Sequence, residues 1–129
     1  MRYLPIVLLG ALLCLNPAEA RSTTAAPHAS ARSMVQTLNG MSTLLNSVHS
    51  RDAADAAAPQ LLAQYKEFRH LQAAAEEQPP MPPAVMELHL RSMELAMNDF
   101  RLACGRLVQE KFYGSTTLGK AVKRLARDF

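Results

Sequence analysis

Glu67-Phe68-Arg69-His70 is the first stretch of this 129-residue chain whose spacing suggests chemistry, because Glu-x-x-His is the step used by carboxylate-bridged di-iron bundles. Such a centre needs a second copy of the step and two more inward glutamates. The chain has no second copy, and helical geometry turns His70 away from Tyr65 and Phe68, so these residues read as a solvated polar face. Met86, Met93 and Met97, with His89 among them, are soft ligands of the kind that hold Cu(I). The same methionines fall at helical core spacing, where methionine serves as an adaptable filler. Cys104 shares that apolar stripe, and a buried thiol without a neighbouring base is an inert small hydrophobe. Gly-rich phosphate loops, Gly-x-Ser-x-Gly, His-Glu-x-x-His and Cys-x-x-Cys are all missing from the sequence. No catalytic residue, cofactor ligand or metal ligand is therefore assigned, and the chain reads as non-enzymatic.

Two surfaces remain. Leu88, Leu95 and Leu102 recur every seven residues. They lie on nearly the opposite side of their helix from Met86, Leu90, Met93, Met97, Phe100, Cys104 and Leu107, which alternate spacings of four and three. One column must meet the bundle, and the other is left for a protein partner, most simply a second copy. Lys120, Lys123, Arg124 and Arg127 form one side of a last amphipathic helix and suit anionic lipid headgroups or an acidic partner.

The elements that position these residues are helical throughout. Abundant Ala, Leu and Met, no tryptophan and few glycines disfavour strands. Met34, Leu38, Met41, Leu45 and Val48 predict a first helix over about 31–49. Leu61, Tyr65, Phe68 and Leu71 are the stripe of a second, starting near Asp52 and continuous through Pro59 with a slight bend. The four prolines of Glu76–Pro83 interrupt it, with Pro83 opening the third helix. That helix is expected to reach Phe112 and to stop at Gly114. Ser115 or Thr116 then begins a short fourth. The expected fold is an all-α, coiled-coil-like, antiparallel up-down-up-down bundle over residues 31–129. Its third helix would be about 43 Å long and its fourth only about 18 Å. The fourth is expected to run back along the third, reaching Leu102 and at most Leu95 and falling short of Leu88.

Compartment follows from the N-terminus. Met1-Arg2-Tyr3, an apolar run from Leu4 to Leu15, Asn16-Pro17 and Ala18-Glu19-Ala20 form the pattern of a secretory signal peptide at 1–20. The run is shorter than the about 20 residues of a membrane span. Leu13 before Cys14 does not fit a lipoprotein signal, so cleavage after Ala20 is expected, with 21–30 a disordered lead. The exported product, periplasmic or secreted, keeps one cysteine, Cys104, and is held by its core alone. Export and a modest net charge of +3 argue against nucleic acid.

The layout resembles the periplasmic four-helix b-type cytochromes, which ligate haem with a methionine in the first helix and a histidine in the last. The resemblance implies Met34 or Met41 as first ligand, but Thr117–Phe129 contains no histidine to be the second. A carrier of haem or a soft metal is thus the alternative reading. Over about residues 34–72, a leucine-spaced helix, Asp52-Ala-Ala-Asp-Ala-Ala-Ala-Pro59 and a second leucine-spaced helix resemble small exported bacterial helical proteins of unknown function. That resemblance implies a helical hairpin and no activity.

Overall fold

A computed structural model describes residues 29–129; the signal-peptide segment 1–20 and most of the lead lie outside the described residues. The described residues form four α-helices and no strand. Helix α1 covers 29–46, so the last two residues of the expected lead are already helical. Helix α2 is Arg51–Glu76, α3 is Pro83–Gln109 and α4 is Thr116–Asp128, with a short helical turn at Lys111–Gly114.

Local signals set most of the ends. Ser50 caps α2, its hydroxyl accepting from the Ala53 N–H, which satisfies one of the donors a helix start leaves unpaired. Pro59 lies inside α2 without ending it. Pro83 opens α3, where a missing N–H costs nothing. Ser115 caps α4 by accepting from the Leu118 N–H.

The core is continuous across all four helices. Leu38, Met41 and Leu45 of α1, Leu61 of α2, Leu107 of α3 and Leu118 and Leu125 of α4 are fully buried. Ala54, Ala57 and Ala58 are buried too, and side chains this small let backbones approach closely. Side chains of α1 line grooves with both α2 and α3, and α4 likewise borders α2 and α3. Two faces of the bundle therefore lie opposite each other, one built by α1 and α3 and the other by α2 and α4.

Two expectations about α3 are corrected. Its buried stripe is Ala96, Phe100, Ala103 and Leu107, flanked by half-buried Met93, Met97 and Cys104, while Leu90 is 59% exposed. Small alanines therefore occupy half of this contact line. Helix α3 also ends at Gln109, short of Phe112. Lys111, Phe112 and Tyr113 all take left-handed backbone angles, φ 54°, 54° and 53°, followed by Gly114 at φ 83°. For residues with a Cβ this conformation costs roughly 1–2 kcal/mol each, so the surroundings must hold it. Phe112 packs its ring on Gly119, where a Cβ would sit 3.3 Å from Phe112 Cδ2.

The turn carries the chain across the bundle, and the fourth helix lies elsewhere than expected. Instead of following the leucine column, α4 packs chiefly against α2 and touches α3 on the other side, along Met97, Phe100 and Cys104. Phe129 closes this end with edge-on rings from Tyr65, Phe68 and Phe100, at centroid distances of 5.8, 5.8 and 5.7 Å. Beyond Phe129, towards Pro83, α3 has no fourth helix beside it, which is why Leu90 is bare.

Candidate functional site

The residues singled out for chemistry do not converge. Glu67 and His70 are both exposed on α2. His89 lines the groove with α1, beside Val35 and Val85, and burial lowers its pKa. Met97 lines the groove with α4 instead, so histidine and methionine face different neighbours. Met34 and Met41, the haem-ligand candidates, are buried in the core. Among the described residues no group of three or more His, Cys, Asp or Glu is placed to hold a metal ion. Cys104 is half-buried, and burial pushes its thiol up to about 11, which favours the protonated form at neutral pH.

One end of the bundle is tied by polar groups that the sequence did not single out. Arg106 donates from Nη2 to the carbonyls of Leu45 at 2.8 Å and Val48 at 3.1 Å, and from Nη1 to the Tyr113 hydroxyl at 3.0 Å. A guanidinium there adds a donor to the Leu45 carbonyl, which also accepts from the Val48 N–H, bonds the Val48 carbonyl just beyond α1, and meets the negative end of the helix dipole. It also fixes Tyr113 in the left-handed turn. Beside it, Ser115 and Thr117 donate to Asp55 Oδ1, at 2.5 and 3.1 Å. Those two bonds, the Ser115 bond first, hold the Asp55 carboxyl below its ordinary pKa. Their signal in sequence was only that Ser115 and Asp55 are helix-cap residue types.

The interaction candidates occupy the two opposite faces. On the α1–α3 face, Leu88, Leu95 and Leu102 are 65%, 63% and 66% exposed. Leu88 borders a groove with Ala31, Val35, Met81 and Val85, and Leu102 borders a second with Asn39 and Asn46. The expectation that α4 covers Leu102 fails, because α4 lies on the far side of α3. On the α2–α4 face, Lys120, Lys123, Arg124 and Arg127 are all exposed. Lys66 and Arg69 of α2 join them, lining a groove with Arg124 and Asp128. The only ion pair among the described residues, Glu87 with Arg91 at 3.4 Å, is not on this face. No described helix is long and apolar enough to cross a membrane. No known protein family, characterised protein or solved structure matches the chain.

Proposed function

We propose that this protein is an exported, non-enzymatic interaction module that pairs with a second copy of itself through the α1–α3 face. An up-down-up-down bundle order and removal of residues 1–20 on export belong to the same proposal. The observation that carries it is the column of three leucines standing clear of the core at a seven-residue repeat. The repeat keeps one stripe of a helix facing a partner. Burying a leucine yields roughly 1.5–3 kcal/mol, so Leu88 and Leu95 from each of two chains support association in the micromolar range after the cost of joining them.

The test is the double variant Leu88→Glu with Leu95→Glu. It is expected to keep its helical circular dichroism and to sediment as a monomer where the unaltered protein sediments as a dimer. An unaltered protein that stays monomeric at high micromolar concentration sinks the dimer. The intact mass of the exported product reads the export part, which requires a chain beginning at Arg21.

A further inference from the structure

We infer that the α2–α4 face docks on an anionic, phosphate-bearing membrane surface, with Lys66 and Arg69 of α2 contributing alongside Lys120, Lys123, Arg124 and Arg127 of α4. This goes beyond the pairing proposed above and lies on the opposite face, so it does not depend on it. The four cations of α4 are only one edge of the patch. The left-handed turn delivers α4 to α2, and that placement sets Arg124 across a groove from Lys66 and Arg69. All six cations are exposed, and Arg124 joins Lys66 and Arg69 on the groove between the two helices. Asp128 lines the same groove and accepts from Tyr65, and Asp55 accepts from Ser115 and Thr117; both keep their negative charge, so the six cations exceed these two carboxylates by four. None of the six cations has a carboxylate within 4 Å among the described residues. Elsewhere on the described chain acids outnumber bases. The molecule is therefore charge-segregated, and a negative plane orients it with α2 and α4 towards the plane.

The kind of partner follows from what the face lacks. A protein interface has a desolvated apolar centre with charged residues depleted there. Here Leu62 is half-buried at the floor of the groove and the rim is cationic. Lys120 to Arg127 spans about 10 Å of helix, and the second helix widens the patch sideways. A broad cationic face without an apolar anchor matches a diffuse layer of headgroup phosphates. Each lysine or arginine near such a surface strengthens binding about fivefold.

The experiment is co-sedimentation of the full protein with vesicles of phosphatidylglycerol and phosphatidylcholine, against phosphatidylcholine alone. The N-terminal run Leu4–Leu15 with its flanking Arg2 and Arg21 is common to the unaltered protein and the variants below, so the comparison among them isolates the helical face. Binding to the anionic vesicles is expected at low salt and should fall as salt rises. Lys66→Gln with Arg69→Gln is expected to weaken it about 25-fold, as much as Lys120→Gln with Lys123→Gln, with circular dichroism unchanged in both. Binding by the Lys66–Arg69 variant equal to that of the unaltered protein overturns the two-helix face. So does an absence of anionic preference at low salt. Binding to polyglutamate without binding to vesicles assigns the face to an acidic protein and overturns the membrane.

Discussion

The two ends of α3 are built from similar residues and meet opposite fates. Near Leu107 the helix is enclosed: α1 is tied to it through Arg106, the left-handed turn folds back beside it, and α4 follows. Near Leu90 the helix borders α1 and solvent, because α4 stops with Phe129 at the level of Phe100. Leu107 is fully buried and Leu90 is mostly exposed, although each sits in the same run of alternating spacings. The difference teaches that periodicity says which side of a helix is apolar, while the length of a neighbour decides how far along that side is covered.

The sharpest way to break this comparison is a matched pair of truncations. Leu107→Ala is expected to destabilise the protein by about 2–5 kcal/mol, the usual cost of emptying a filled core site. Leu90→Ala should fall within about 0.5 kcal/mol, as surface changes do. Urea unfolding midpoints at a constant slope decide it, and equal costs would mean that the open end is covered in solution.

How much of this was legible in the sequence depended on the kind of signal. The helices were, because leucines and methionines at 3.6-residue spacing, Ser115 as a cap and the Glu76–Pro83 break are local features, whereas the Ser50 cap of α2 appears only in the structure. The buried line of α3 was misplaced because Ala96 and Ala103 carry little apolar weight and gain their importance only from a close neighbour. The position of α4 was illegible for a different reason. It follows from Lys111, Phe112 and Tyr113 adopting a backbone that their own preferences oppose, with Gly114 the one residue that announces it. The leucine column and the cations of α4 were found as residues, but the pairing of those cations with Lys66 and Arg69 needed the fold.

That opposition gives a second, smaller test. Lys111 is exposed and left-handed, so Lys111→Gly should relieve strain and stabilise the closed end by up to about 1 kcal/mol. In a right-handed helix interior the same change costs about 1 kcal/mol. The sign of the shift in the unfolding midpoint therefore reports the handedness of the turn in solution.

The smallest effect concerns pH. Asp55 is held below its ordinary pKa in the folded state, so its bonds to Ser115 and Thr117 contribute above about pH 4 and are lost as pH falls through the lowered folded value. Asp55→Asn should leave stability less sensitive to acid in that window, and a pH series of thermal midpoints checks it. An unchanged acid limb would show that the closed end is held without this carboxylate.

The polar ties between helices have one more property, which is where they fall along the chain. Arg106 with Leu45 and Val48, Asp55 with Ser115 and Thr117, and Tyr65 with Asp128 join residues 58 to 63 positions apart. Each therefore links the first helical pair to the second, and none lies within a pair. The proline loop between α2 and α3 acts as a tether that keeps the two helical pairs at an effective concentration of about millimolar. A chain of this construction is expected to be divisible: cut within that loop, its halves should regain these ties as intermolecular bonds, and co-elution of the two fragments checks it.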